Sequence, residues 1–373
     1  MRIRQVDTSN RRDVRQFIQV PFDLYRRCPQ WVPPLVAGMK AALNREKFPF
    51  YRHSQADFWV AEQGKETVGR IAAIDNRLYN DYHQSQTAFF YYFDAVDDQG
   101  VADALFDAAF DWARGRGLTD VLGPKGLLRF DAHGALVDGF EHRPSVGVPY
   151  NFPYYDRLIK GVGFEKELDY FSGHITADYD LPERVYQIAD RIKQRRGFWI
   201  KTFKDTKEIW VLVPQAHRIY LEAFKQVPGY YPIDKDEMRL LFERIISITY
   251  PDLVKLVMKG DEAVGFVISY PDVAGAVQRC RGRLWPLGWL HLMRERRRTK
   301  WVTFNGVGLL PEYQGMGANT ILYVELGKTL RDYDRFEHGD YVQVAETNLQ
   351  SFGDAQTMGF PMYKTHRIYR KLL

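Results

Sequence analysis

The residues best suited to chemistry form a glycine-containing loop, 311–319, between an apolar segment and a helical repeat of apolar residues. The segment before it, 301–310, has the pattern of a strand. Backbone N–H groups point outward at the start of a helix, and the helix dipole favours negative charge, so this arrangement can bind an anion. Gly315 and Gly317 also remove side chains that would block a diphosphate. A lone Gly-x-Gly would indicate an ordinary turn, but the strand-loop-helix context favours an anion site.

The segment 314–319, Gln-Gly-Met-Gly-Ala-Asn, resembles the Gln/Arg-x-x-Gly-x-Gly/Ala loop of the GNAT superfamily of acyl-CoA acyltransferases. In that superfamily the loop holds the CoA diphosphate, and the strand before it pairs with pantetheine. The resemblance implies that the backbone of Val307 and Leu309 meets pantetheine. It implies a diphosphate cradle made by Gln314, Gly315, Met316, Gly317, Ala318 and Asn319. Asn319 departs from the Gly or Ala that the family prefers, and its bulk would crowd the phosphate.

The resemblance extends over most of the chain. Segments at 28–35, 48–53, 68–73, 139–140, 150–155 and 282–290 are similar to a group of bacterial two-copy GNAT-like proteins. Some two-copy members are related to enzymes that acylate the amine of sphingoid bases.

Two polar residues, Glu346 and Asn348, follow the next predicted strand, 341–345. With the segment 358–360 they resemble the strand end, helix and Gly-Phe turn of GNAT proteins. Acyl transfer from a thioester to an amine needs a base. Glu346 is the leading candidate because it ends a strand beside the expected CoA cleft. The alternative interpretation is that Glu346 is an ordinary solvated carboxylate. Asn348 is either the N-cap of the following helix or a contact for pantetheine or substrate.

The acid that would protonate the leaving thiolate is less evident. The family's usual acid is a tyrosine four residues before the Gly-Phe turn, where this sequence has Ile159 in the first half and Ala355 in the second. Tyr363 is taken as the candidate acid, and Tyr369 lies close to it in sequence. Many enzymes of the superfamily lack that tyrosine, so its absence weakens the prediction of catalysis without refuting it.

An internal repeat sets the elements that position these residues. Residues 63–73 and 259–269 share the pattern Gly-x-Glu-x-Val-Gly at an offset of 196 residues, and a Gly-Phe pair at 163–164 reappears at 359–360 at the same offset. Glycine supplies the positive φ of a tight turn between apolar residues, so each first motif predicts a β-hairpin. Two motifs in one order at one offset indicate a duplication.

Between these landmarks each half has a strand and then a helix. The strands are 89–96 and 301–310, followed further on by 120–123 and 341–345. The helical stripes are Val101, Leu105, Ala109, Trp112 and Ala113 in the first half, and Ala318, Ile321, Leu322, Leu326 and Leu330 in the second. The predicted fold class is α/β with mixed sheets, built as two tandem GNAT-like domains, 1–178 and 179–373, linked near 177–184.

The first copy is expected to lack a CoA site. Its central strand leads into Asp97 and Asp98, where the second copy has its glycine loop. Two carboxylates repel a diphosphate at short range. The first copy would then be a structural and substrate-shaping partner of the second.

The composition allows two sizeable cores in 373 residues, of which 45% are hydrophobic. The net charge of +5 is small and does not indicate a nucleic-acid-binding protein. Two cysteines without a CxxC pair and nine scattered histidines predict no disulfide framework and no metal site. Neither a signal peptide nor a run of about 18 apolar residues occurs, so a cytoplasmic setting is expected, with the periphery of the inner membrane as a further option.

A basic, tryptophan-rich insertion, 277–300, precedes the strand at 301. Three arginines lead into Trp285 and Trp289, and the cluster 294–300 follows. Tryptophan and leucine beside arginine are typical of an interfacial membrane helix, which predicts peripheral membrane or lipid contact through 283–300. The alternatives are a channel wall for an acyl chain or lipid, and an amphipathic segment packed between the copies. Nucleic-acid binding would need a wider basic face.

These features together predict an acyl-CoA-dependent N-acyltransferase that moves an acyl group from acetyl-CoA or a longer acyl-CoA to an amine, with long-chain and lipid amines among the acceptors considered. The alternatives are a non-catalytic acyl-CoA-binding or sensing protein, and a degenerate interaction module that binds no CoA.

Overall fold

The computed structural model describes residues 1–131, 133–176, 181, 183–349, 352–353 and 361–373. Its strands are β1 (Arg2–Gln5), β2 (Gln55–Gln63), β3 (Glu66–Asp75), β4 (Thr87–Ala95), β5 (Asp120–Gly123), β6 (Ala135–Asp138), β7 (Glu165–Thr176), β8 (Phe198–Lys201), β9 (Val254–Lys259), β10 (Glu262–Pro271), β11 (Trp301–Leu309), β12 (His338–Ala345) and β13 (Met362–Leu372).

Eleven helices are interspersed with these strands in the described part of the chain. They are α1 (Arg11–Leu24), α2 (Val36–Ala42), α3 (Arg77–His83), α4 (Gln99–Arg114), α5 (Tyr154–Gly161), α6 (Glu183–Arg196), α7 (Thr206–Ala223), α8 (Lys235–Ile248), α9 (Ala274–Arg279), α10 (Gly288–Arg298) and α11 (Ala318–Asp332). Short 3₁₀ turns lie at Pro49–Arg52, Pro251–Leu253 and Pro311–Tyr313. The predicted mixed α/β class is confirmed.

The chain forms two compact units. Unit 1 consists of Met1–Phe171, Ala274–Leu292 and Tyr363–Leu373, and unit 2 consists of Ser172–Val273 and Met293–Met362. Each unit is therefore assembled from separated stretches of sequence. The expected division at 178/179 separates the two copies of the sequence repeat, whereas the two units are defined by their compactness. The division at 178/179 stays a prediction.

The sheet of unit 1 has the strand order β1-β2-β3-β4-β5-β13, with β6 also paired to β13. The first four strands pair antiparallel, β4 and β5 pair parallel, and β13 runs antiparallel to β5. The sheet of unit 2 has the order β8-β9-β10-β11-β12, with antiparallel pairs up to β11 and a parallel β11–β12 pair. The series β2 to β5 and β9 to β12 are thus the same arrangement.

The two predicted hairpins are present and agree in detail. The β2–β3 turn has Gly64 at φ +61°, and the β9–β10 turn has Gly260 at φ +58°. Both turns need the left-handed backbone that glycine adopts without strain. The repeated hairpins support the duplication. The repeated Gly-Phe pair at 359–360 lies outside the described residues.

The two central helices bury the predicted stripes. In α4 the buried residues include Val101, Leu105, Ala109, Trp112 and Ala113. In α11 they include Ala318, Ile321, Leu322 and Leu326, while Leu330 is half-buried. Apolar residues at these helical spacings face one side of a helix, which is why each helix packs on its sheet.

Candidate functional site

The N-terminus of α11 has the backbone geometry of an anion site. Gly315 and Gly317 have φ of +69° and +81°, which lets the chain turn sharply out of β11. Gly317 is the N-cap, and because glycine has no side chain the N-cap residue makes no capping hydrogen bond to the first turn of the helix. The orphan N–H groups of that turn, with the positive end of the helix dipole, favour a negatively charged ligand.

The two glycines are required for different reasons. At Gly315 a Cβ would meet nothing within 4 Å, so only the positive φ demands glycine. At Gly317 a Cβ would collide with Cδ1 of Ile192 on α6. The explanation that both glycines simply make room for a diphosphate is therefore incomplete, because Gly317 also makes room for α6.

The equivalent helix of unit 1 has a different start. Asp98 is the N-cap of α4, and its carboxylate accepts a hydrogen bond of 2.8 Å from the Gly100 amide. Asp97 forms an ion pair with Arg157. A carboxylate already satisfies the helix terminus here, so an anion would meet repulsion instead of free donors.

The end of the central strand in unit 1 is also covered. The Tyr155 hydroxyl accepts a 3.1 Å hydrogen bond from the Ala95 amide, and the Tyr154 hydroxyl donates a 2.8 Å hydrogen bond to the Ala95 carbonyl. Both backbone groups of the last β4 residue are therefore occupied by side chains of α5.

The parallel strands of unit 2 separate part-way along their length. The β11–β12 pairing runs from Trp301↔His338 to Phe304↔Tyr341 and stops there. At that point β11 is irregular, since Ile268 and Ser269 of β10 face Gly306 and Phe304 and leave Asn305 as an extra residue. Such a bulge bends a strand and ends its pairing. The rest of β11 therefore has no ladder partner on its β12 side within the described residues.

A cavity of about 600 Å³ follows β11 and extends past this point to Gly306 and Val307. One wall is a stripe of α11, made by Tyr323, Leu326, Gly327, Leu330 and Arg331. The other walls are largely apolar and include Ile175, Leu181, Val267, Val302, Phe304, Phe336 and Tyr341. Ligand pockets of about 300–1,000 Å³ with mainly apolar walls bind small organic molecules.

Charged side chains lie among the lining residues of this cavity. Asp334, Arg335, Glu337 and His338 contribute to its wall. The His338 ring lies 4.4 Å from Trp301 and its Nδ1 lies 3.4 Å from Nε2 of His174. Sequence reasoning did not single out these residues, because the motifs for acyl transfer do not include them.

Most of the predicted CoA-binding residues follow each other around the turn from β11 into α11. Val307 lines the cavity. Leu309 is buried, pairs with Gly265, and its carbonyl accepts a 3.1 Å hydrogen bond from the Gln314 side-chain amide. Gln314 therefore braces the loop. Ala318 is fully buried and Asn319 half-buried in the first turn of α11.

The predicted base and its neighbour stand where β12 ends. Glu346 and Asn348 are both half-buried. The Asn348 amide donates to the Ala345 carbonyl at 2.9 Å, and the Asn348 carbonyl accepts from the Phe352 amide at 3.0 Å. The second bond has helical spacing, so Asn348 stands at a helix start, and both of its interpretations stay open. Glu325, inside α11, instead forms ion pairs with Lys193 and Lys328.

The two candidate tyrosines lie on β13, in unit 1. The Tyr363 ring is 4.8 Å from His142, and the Lys364 ammonium is 4.4 Å above it. The Tyr369 hydroxyl donates a 2.7 Å hydrogen bond to Asp156, and burial with that carboxylate raises the pKa of Tyr369. Ala355, at the position of the usual acid, lies outside the described residues.

The basic insertion contains the end of α9, all of α10 and several exposed apolar residues. The exposed fractions are 84% for Trp285, 63% for Leu287 and 45% for Trp289. Arg296 differs from the exposed arginines of the cluster: it donates to the Thr249 carbonyl at 2.6 Å and lies over the Tyr250 ring. The side chain of Arg296 therefore packs within unit 2, and the lipid contact predicted for 283–300 depends on the exposed arginines of the cluster and stays a prediction.

Among the described residues no group of three or more His, Cys, Asp or Glu side chains could hold a metal ion. No helix in the described part of the chain is long and apolar enough to cross a bilayer.

Comparison with known proteins gives full-length matches. The chain is 26% identical over 371 residues to protein YghO of Escherichia coli strain K12, covering 97% of this chain and 93% of that protein. It is 29% identical over 374 residues to a bacterial ceramide synthase of Caulobacter vibrioides, covering 97% and 95%. No family model matches the sequence.

A solved structure supports the same arrangement. A tandem GNAT protein from the clavulanic acid biosynthesis pathway superposes with a TM-score of 0.56 at 13% identity, covering 100% of this chain and 98% of that one. At such low identity the likeness concerns the fold. It agrees with the repeated strand order of the two units.

Proposed function

We propose, from the tandem GNAT fold that this chain has, that it is an acyl-CoA-dependent N-acyltransferase. The comparisons support acyl transfer as the general class of reaction. The observation that carries the proposal is the contrast between two helix starts. The N-cap of α11 is Gly317, which makes no side-chain capping bond, whereas α4 is capped by the carboxylate of Asp98. The acyl-CoA site accordingly belongs to the C-terminal copy.

In this proposal the CoA diphosphate lies on residues 314–319 and pantetheine follows Val307 and Leu309, where β11 has separated from β12. The acceptor amine gives a proton to Glu346, directly or through water. Its nitrogen then forms a bond to the thioester carbonyl carbon, the C–S bond breaks, and the CoA thiolate takes up a proton. Asn348 contacts pantetheine or substrate, and Tyr363 is the proposed acid.

The cavity supports a long acyl chain or a long-chain amine over an acetyl group. Its volume of about 600 Å³ and its apolar wall along β11 and α11 suit an alkyl chain. The relative named as a ceramide synthase points in the same direction, since a ceramide is the amide formed when the amine of a sphingoid base is acylated. The proposed acceptor is therefore a long-chain amine.

The N-terminal copy has a supporting role in this proposal. Its helix terminus is capped and its strand end is covered by Tyr154 and Tyr155. Residues 283–300 are proposed to contact a lipid surface, because Trp285, Leu287 and Trp289 are exposed beside arginines. The protein would then act at the periphery of a membrane.

Two measurements test the function. CoA and palmitoyl-CoA should raise the melting temperature by mass action, and thiol release from palmitoyl-CoA should require a long-chain amine. CoA binding without thiol release for any amine would favour the non-catalytic acyl-CoA-binding alternative. No shift with either ligand would exclude both readings and leave an interaction module.

A further inference from the structure

A second cavity, of about 540 Å³, lies within unit 1 and is rich in arginine. Residues after the middle of α1 form one side, and α9 with the loop after it forms the other. The positively charged lining residues are Arg26, Arg279, Arg281 and Arg283, and the lining carboxylate is Asp23. Four guanidinium groups around one volume repel each other, and a bound anion would relieve that repulsion.

Backbone and amide contacts hold the two sides of this arginine pocket together. The Gln278 side-chain amide donates to the carbonyls of Pro29 and Trp31 at 2.8 and 3.0 Å. The Val36 amide donates to the Gly282 carbonyl at 2.9 Å. Gly282 has a φ of +65°, and a Cβ there would collide with the Pro34 carbonyl oxygen. These contacts fix the walls without using the side chains of Arg26 or Arg281.

Two of the arginines have exposed side chains that a ligand could reach. Among the described residues, the guanidinium groups of Arg26 and Arg281 make no hydrogen bond or ion pair. Arg281 also has a φ of +46°, a conformation that a non-glycine residue adopts at a cost and that clusters at functional positions. Arg283, in contrast, lies 5.1 Å above the Phe22 ring and bonds Gln19 at 3.4 Å.

The pocket lies next along the chain to the exposed apolar residues of the insertion. Trp285 and Leu287 follow Arg283 by two and four positions and are 84% and 63% exposed. Tryptophan is favoured at the boundary between lipid and water, and arginine binds phosphate oxygens in a bidentate way. We propose that the arginine pocket binds the phosphate of an anionic phospholipid headgroup while Trp285 and Leu287 enter the bilayer beside it.

This inference deepens the proposed lipid contact and does not depend on acyl transfer. The test is co-sedimentation with vesicles of phosphatidylglycerol and phosphatidylcholine, against vesicles of phosphatidylcholine alone. Arg26→Gln with Arg281→Gln should lower the affinity for the anionic vesicles about 30-fold, because each arginine at an anionic surface contributes about five-fold. The control, Arg11→Gln with Arg12→Gln, removes the same charge from exposed positions on α1 and should change the affinity for anionic vesicles little.

Three outcomes would overturn the proposal. The first is equal binding of wild type to neutral and anionic vesicles. The second is an equal loss in both double variants, which would mean general charge attraction. The third is that inorganic phosphate stabilises the wild type but not the Arg26→Gln/Arg281→Gln variant against heat, while the two proteins bind vesicles equally well. That result would assign the pocket to a free phosphate ester. Thiol release from acyl-CoA in detergent solution should be unchanged in Arg26→Gln/Arg281→Gln, so failure of the pocket and failure of the enzyme are distinguishable.

Discussion

Val68 and Val264 occupy the same place in the two units. Each is the extra residue of a bulge in its hairpin, between Thr67 and Gly69 in one and between Ala263 and Gly265 in the other. Their carbonyls accept from the amides that follow the central strands, Val96 at 3.0 Å and Leu310 at 2.9 Å. The two valines lie 196 residues apart, the offset seen in the sequence repeat.

The glycine after this bulge is expected to be required for packing. A Cβ at Gly265 would collide with Leu309 Cδ2 and meet the Gly308 carbonyl at 2.8 Å. Gly265→Ala should therefore destabilise the protein by about 1–3 kcal/mol. Gly306→Ala is the control, since nothing lies within 4 Å of its Cβ position. Urea unfolding gives both values, and an equal effect would contradict the close approach of β10 and β11.

The CoA loop should respond to a single added charge. Asn319→Asp keeps the shape of the side chain and suits a helix N-terminus, so the fold should be stable. A carboxylate beside the diphosphate should raise the dissociation constant of CoA at least about tenfold, or ~1.4 kcal/mol. Asn44→Asp makes the same change in unit 1, where Asn44 accepts hydrogen bonds from Glu46 and Lys47 amides. Calorimetry should show normal CoA binding for Asn44→Asp; similar losses in both would place CoA elsewhere.

The proposed base should affect turnover rather than binding. Glu346→Gln removes the proton acceptor and keeps the size, so kcat/KM should fall about 10²–10⁴-fold with CoA affinity preserved. Steady-state thiol release measures the first quantity and calorimetry the second. Full activity of Glu346→Gln would make Glu346 the solvated carboxylate of the alternative interpretation.

The cavity should set the length of the acyl chain. Gly327 lies on the cavity-facing stripe of α11, and nothing surrounds its Cβ position within 4 Å. Gly327→Leu should fill part of the cavity and lower the ratio of palmitoyl-CoA to acetyl-CoA turnover. It should also stabilise α11 by up to about 1 kcal/mol, since glycine is a poor helix former. Gly327→Ala should stabilise α11 in the same way but change the ratio of palmitoyl-CoA to acetyl-CoA turnover less. An unchanged ratio in Gly327→Leu would place the chain outside this cavity.

A buried histidine in unit 1 should make stability fall in acid. Burial, with Lys125 and His366 nearby, lowers the pKa of His133 to about 4. Between about pH 6.5 and 4 the unfolded chain binds a proton that the folded chain does not, so stability falls as the pH is lowered. His133→Phe keeps a ring against Tyr170 and should remove about 2 kcal/mol of the difference in unfolding free energy between pH 7 and 4.5. An unchanged difference would mean that His133 is protonated in the folded state.

The repeat and the helical stripes made much of the fold predictable. Gly64 and Gly260 each occur where a hairpin needs positive φ, and the stripes of α4 and α11 fall on buried faces. Both signals are local, since they depend on residues within one turn or one helix face. The repeat then implies that the strands follow one another in the same order along both halves of the chain.

The features that depend on distant partners were not predictable. Nothing near Gly317 indicates that Ile192 fills the space of its Cβ, and nothing near Arg296 indicates its bond to Thr249. The cavity along β11 arises because strands and a helix from separate parts of unit 2 leave a gap. Its charged lining, including His338, carries no motif in the sequence.

The membership of β13 in unit 1 has a consequence for synthesis of the chain. The strand pairs with β5 and β6, yet its unit 1 residues are translated only after all of unit 2, up to Met362, has been made. Until then β5 has an open edge on that side, and unpaired edges invite association with other chains. The first unit to be translated is thus the last to be completed, and a nascent chain interrupted anywhere before β13 carries an unfinished sheet.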